Sequence, residues 1–165
     1  MLASSTITEA SEIQKETERL SRLKAGGAKA LAQREQEISD KRLEWWEENR
    51  ARLIRQGLEH LSTLDQAYRT FFIDYLECNP KEVPIVKRTE KQLVIHSHNF
   101  CPVHHACEAL KMDTRVVCKA VYERPVTTFL QQIHPGLSFR RNYDAIRPYT
   151  WYCEEIIELV RSRGR

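Results

Sequence analysis

The chain reads as an α+β domain in which long N-terminal helices pack on a small antiparallel sheet of ββαα(α)ββ order. Three observations predict this. Between Leu31 and Leu76 the apolar residues recur at threes and fours, after Pro80 the period drops toward two, and helix-favouring stretches separate two pairs of short strand-like segments.

In chain order, Thr8 to about Leu23 is polar and helix-favouring, with apolar residues only at Ile13, Leu20 and Leu23 before Gly26-Gly27. Residues 1–27 are therefore expected to form a flexible or loosely docked helical leader, because so few apolar positions bury little surface. Residues 28–165 then form a single α+β domain, with 28–80 helical and 81–165 the catalytic or binding part. Leu43, Trp46, Leu53, Leu58, Leu61, Leu64, Tyr68, Phe71, Phe72 and Tyr75 line one helical face, with Gly57 as a bend or break. Trp45 and Trp46 point about 100° apart, so one is free for a partner surface.

Val83 to Lys87 and Gln92 to His98 read as a hairpin around the polar turn Arg88-Thr89-Glu90-Lys91. Pro102 to Met112 reads as a helix, and Thr114 to Tyr122 as another, although Val116-Val117 and Val121-Tyr122 would suit a strand. Pro125 reads as the first residue of a helix through Ile133, stopped by His134-Pro135-Gly136. Leu137 to Tyr143 and Thr150 to Leu159 supply the closing strands, with Ile146-Arg147-Pro148 in the turn between them.

Composition narrows the function classes. The surplus of 26 Lys plus Arg over 23 Asp plus Glu is small, and the charges are interspersed, so no nucleic-acid partner is expected. No apolar run approaches the roughly 20 residues of a membrane span, and Met1-Leu2-Ala3-Ser4-Ser5 lacks a secretory pattern. A cytoplasmic protein is expected, with its five cysteines reduced.

The densest chemistry is His96-Ser97-His98-Asn99-Phe100-Cys101-Pro102-Val103-His104-His105-Ala106-Cys107. Cys101 falls at the junction between a strand and a helix opening with Pro102. There the positive end of the helix dipole and a nearby imidazole, His98 or His104, favour a reactive thiolate. A depressed thiol pKa is the expectation. Cys118, in the next element, reads either as a second active-site thiol or as a buried core residue, and Cys153 lies in the last strand, while Cys78 beside Asn79-Pro80 reads as incidental and Cys107 as a buried helix position.

Cys101 before a helix, a second cysteine in Arg115-Val116-Val117-Cys118-Lys119-Ala120, the strand Leu137-Ser138-Phe139-Arg140-Arg141-Asn142-Tyr143, and the closing Tyr152-Cys153-Glu154-Glu155 together resemble the L-2-amino-thiazoline-4-carboxylic acid hydrolase family. The resemblance covers roughly Val83 to Leu159. It implies a thiol-dependent hydrolase of C–N bonds in a small cyclic amidine or thiazoline-type amino-acid derivative. Cys101, His98, His104 and Cys118 would be the catalytic residues, and Asn99, Arg140, Arg141 and Cys153 would bind substrate, with no cofactor. One of the two adjacent arginines would face the site and clamp a carboxylate bidentately. Glu123 could polarise an amidine nitrogen, or be a surface charge.

Two other classes fit the same residues. A metal-binding protein could use His96, His98 and Cys101 for zinc, or Cys101, Cys118 and Cys153 for an iron–sulfur cluster. A non-catalytic small-molecule-binding module could use the aromatic stripe, with the N-terminal helices available for homo-oligomerisation.

Overall fold

The structure, a computed structural model, describes residues 2–160, with side chains described from residue 8 onward. Met1 and residues 161–165, the outer ends of the expected leader and domain, lie outside the described residues.

Helix α1 (Leu2–Arg55) is two helical arms joined at Gly27, whose φ of 65° and ψ of −155° are reached easily only by glycine. The chain doubles back there. In a straight helix Glu16 and Arg34 would lie about 27 Å apart, yet Glu16 Oε2 is 3.9 Å from Arg34 Nη2. The leader forms the first arm of this hairpin. Leu20 is 0% exposed, Leu23 and Glu16 are buried, and Glu16 accepts a hydrogen bond from the Tyr122 hydroxyl.

Gly57, with φ 88°, ends the second arm, and a short 3-10 turn leads into α2 (Thr63–Tyr68). Ser62 caps α2 by accepting the Asp65 amide hydrogen bond. The helix widens into a π turn over Arg69–Tyr75. The expected break at Gly57 and the helical reading up to Leu76 agree with this path.

Strands β1 (Ile85–Arg88) and β2 (Gln92–Ser97) form the first hairpin, and α3 (Pro102–Leu110) follows with Cys101 at its N-cap. Helix α4 (Thr114–Val117), a π turn (Cys118–Tyr122) and α5 (Glu123–Leu130) then run on without interruption. The ambiguous Val116 to Tyr122 stretch is thus helical. Pro125 sits third in α5 rather than first. It lacks an N–H, and the helix has already shifted to wider bonding upstream, where the Glu123 amide donates to the Cys118 carbonyl.

Strands β3 (Leu137–Arg141) and β4 (Cys153–Leu159) complete a four-stranded antiparallel sheet of order β1-β2-β4-β3. Both closing strands are shorter at the turn side than their composition suggests. Residues 142–152 instead fold as a loop, held where the Asn142 amide donates to the Glu154 carbonyl and the Ala145 amide to the Asn142 carbonyl, closing the turn.

Two cores result. The larger joins Trp46, Leu53, Phe71, Phe72 and Phe129 to the sheet residues Leu93, Ile95, Phe139 and Ile157. The smaller joins Leu20, Leu23 and Ile38 of the α1 hairpin to Ala106, Cys107, Val117 and Val121. Helices thus cover one face of the sheet, as the α+β reading requires. No helix among the described residues is long and apolar enough to cross a membrane.

Candidate active site

Strand alternation sorts the residues of β2, β3 and β4 onto two faces. Ser97, Arg141, Cys153 and Glu155 turn inward with Ile95, Phe139 and Ile157. His96, Arg140, Glu154 and Glu158 turn outward. The register sets Ser97 opposite Cys153 and Arg141 opposite Glu155.

On the inner face Ser97 Oγ donates to Glu155 Oε2 at 2.5 Å, and Arg141 Nε donates to Glu155 Oε1 at 3.1 Å. The Arg141 guanidinium lies 4.9 Å from the Phe139 ring centroid. Its Nη1 is buried with no partner. Burial pulls the Arg141 pKa down, but the opposing charge of the Glu155 carboxylate is the largest effect raising it, and the group stays cationic. Glu123 Oε2 accepts from the Tyr143 hydroxyl at 2.5 Å and from the Arg141 amide at 3.1 Å. Glu123 is therefore a structural acceptor beside the centre.

Cys101, Cys118 and Cys153 come together around this arginine. All three thiols are free, and each lies within electrostatic reach of the others and of Arg141. The loop between β3 and β4 closes over them through Arg147. Its Nε donates to Cys153 Sγ at 3.4 Å and its Nη1 to the Asn99 carbonyl at 2.8 Å, while its own carbonyl accepts from Thr114 Oγ1 at 2.7 Å. Asn99 takes part through its backbone, since its side-chain amide turns to the Phe100 carbonyl.

The thiol electrostatics run opposite to the expected depression. Burial pushes the Cys101 thiol up and outweighs the favourable His104 amide, Arg147 and Arg141. The His104 amide faces the sulfur without completing a cap hydrogen bond. Burial likewise pushes Cys118 up to about 12, against the pull of Arg141. Cys101 and Cys118 therefore rest as thiols, not thiolates.

The histidines divide. His96 lies on the outer face, stacked on Tyr152 at 3.8 Å with Nε2 3.0 Å from Glu154 Oε2. His98 meets Tyr152 edge-on at 5.8 Å. The expected metal set of His96, His98 and Cys101 is consequently split between two faces. Among the described residues the convergent group is instead His104, His105 and Glu108. His104 stays near Cys101 through its amide, and burial lowers its ring pKa.

Two contributors lay outside the expected set. Arg147 stands in a stretch that reads only as a turn, and no local signal marks it. Arg42 of α1 is 8% exposed, lies 5.2 Å from the Phe71 and 5.7 Å from the Tyr75 ring centroids, and leaves Nε and Nη1 without partners. Its charge reaches Arg141. Its sequence signal was its phase, since positions 42, 46 and 53 share the buried face.

A groove of about 430 Å³ lined by Asp113, Arg115, Val116, Lys119, Ala120 and Tyr143 borders the centre through Tyr143. A cleft of about 450 Å³ between the arms of α1 is lined by Arg19, Arg22, Arg34 and Glu37 and offers no nucleophile. Chemistry, not size, selects the cysteine centre. No protein-family model, no curated protein and no solved structure matches the chain.

Proposed function

We propose that the chain is a thiol-dependent hydrolase of a small, carboxylate-bearing cyclic amidine or thiazoline-type compound, with Cys101 as nucleophile. The observation that carries this reading is the convergence of three free thiols with Arg141 and Arg147, the Arg141 Nη1 donor being unpaired. Arg42, Arg141 and Arg147 outnumber the two carboxylates at the centre, Glu155 and Glu123. A buried cation surplus of this kind suits an anionic ligand.

A raised thiol pKa shapes the chemistry. Addition of the Cys101 S–H across the substrate C=N bond puts sulfur on carbon and the proton on nitrogen, so no thiolate is stored. The exocyclic amino group gives a proton to that ring nitrogen, which leaves as an amine with the C–N bonding pair as a C=N bond forms to the remaining nitrogen; water then adds to this carbon, and the bond to the Cys101 sulfur breaks as the sulfur regains a proton from the water. Arg141 Nη1 holds the substrate carboxylate throughout. Cys118 and Cys153 line the same centre, and the Arg147 contact orients Cys153.

The test is incubation of the full chain with 2-amino-thiazoline-4-carboxylate while ring opening is followed. Turnover that disappears in a folded Cys101→Ser protein supports the reading. Turnover that persists in that variant removes Cys101 as nucleophile, and none by the unaltered chain removes this substrate class.

A further inference from the structure

We propose that α3 carries a divalent transition-metal site formed by His104, His105 and Glu108, distinct from the thiol centre. One donor atom from each of the three lies within 4.8 Å of the others. His105 Nδ1 is 3.9 Å from Glu108 Oε2, and the two imidazole centroids are 5.1 Å apart. The spacing explains the convergence, because residues four and three before Glu108 share its side of the helix one turn back.

A second observation points the same way. His104 Nε2 is buried and has no hydrogen-bond partner, an uncommon state for a ring nitrogen among otherwise satisfied polar groups. One carboxylate, Glu108, and two basic groups, Arg147 and His105, lie within reach of His104.

The donor set selects the ion class. Two imidazoles and one carboxylate suit Zn²⁺, Co²⁺ or Ni²⁺ rather than the oxygen-ligated Mg²⁺ or Ca²⁺. With bonds of about 2.0–2.1 Å, tetrahedral donors lie about 3.3 Å apart. Rotating His105 and Glu108, whose side chains are 43% and 55% exposed, supplies that contraction. Phe100 stacks on His105 at 5.7 Å and keeps the ring near its partners. Three protein ligands at the surface leave at least one coordination position for water or an exogenous anion.

The experiment titrates the full-length, fully reduced chain with Co²⁺, following its visible bands, and repeats the titration with Zn²⁺ by equilibrium dialysis. One Co²⁺ per chain is expected, with nitrogen and oxygen coordination and no sulfur-to-cobalt charge-transfer band. His105→Ala and Glu108→Gln, both on the solvent side of α3, should each weaken binding at least about tenfold, since even the loss of an outer-shell partner costs that much. Cys101→Ser should bind as tightly as the unaltered chain. Absence of saturable binding, affinity unchanged in both helix variants, or a charge-transfer band that vanishes in Cys101→Ser would each overturn the proposal.

Discussion

Consecutive residues of β3 make two ion pairs to β4 of the same length and opposite consequence. Arg140 Nη2 meets Glu158 Oε1 at 3.1 Å with side chains 50% and 32% exposed, whereas Arg141 Nε meets Glu155 Oε1 at 3.1 Å with side chains 12% and 9% exposed. Outside, water screens both charges and can replace either partner, so such a pair contributes about 0–1 kcal/mol. Inside, neither charge can be left alone. Fold and candidate chemistry thus depend on the inner pair, and geometry alone does not separate the two.

The largest expected effect breaks the inner pair from its acidic side. Glu155→Ala strands the Arg141 charge and leaves Ser97 Oγ without its acceptor, and should cost about 3–5 kcal/mol in urea denaturation. Glu158→Ala should cost less than about 1 kcal/mol. Equal losses would mean that the inner centre is wet enough to screen its charges.

Next comes the first arm of α1. Leu20→Ala should destabilise by about 2–5 kcal/mol, and removal of residues 1–27 should lower the melting temperature by exposing Ala106, Cys107 and Val121. An unchanged melting temperature after that deletion would show that the arm is loosely docked.

The third prediction concerns substrate capture. Arg141→Lys keeps the charge but loses the planar fork, which should lower catalytic efficiency on an anionic substrate about tenfold or more, equivalent to about 1.5–3 kcal/mol. Arg140→Lys should leave it near the unaltered value. Steady-state kinetics of the two variants decide the comparison.

The smallest effect is on pH. Burial pushes Cys78, Cys107 and Cys118 up to about 12 from an ordinary value near 9. The folded state holds these protons more tightly, so their contribution is complete below about pH 9 and is lost as pH rises through the folded values. Melting temperature should therefore fall between about pH 9 and 12. Cys118→Ala should flatten that fall, and an identical slope in the variant would assign it to other groups.

Much of this architecture is legible in the sequence because it follows from period. The stripe ending at Tyr75, the change to alternation after Pro80, and the inward turn of one of two adjacent arginines all rest on side-chain direction, which is local. Cys101, Cys118 and Cys153 are legible as candidates for a related reason, since each falls inside a recognisable element. Arg147 is not, because its role depends on the path of a loop that no periodicity specifies. The docked first arm is half legible: Glu16, Leu20 and Leu23 are in phase, but an acid in that row reads as solvent-facing until Tyr122 and Arg34 meet it. The thiol pKa is not legible, because a helix N-terminus is visible in sequence, whereas the burial that overrides it is a property of the folded chain.

The loop that lowers Arg147 onto Cys153 also lifts Trp151 to 91% exposure, while Trp46 is buried and Trp45 is wedged against Tyr75 and Phe129. Of the chain's three indoles, one therefore emits from water and two from protein. Iodide should quench the red-shifted part of the emission first, and that part belongs to the segment covering the cysteines. Any lifting of the loop to admit a small molecule thus carries its own intrinsic optical reporter, readable in the native chain without a label.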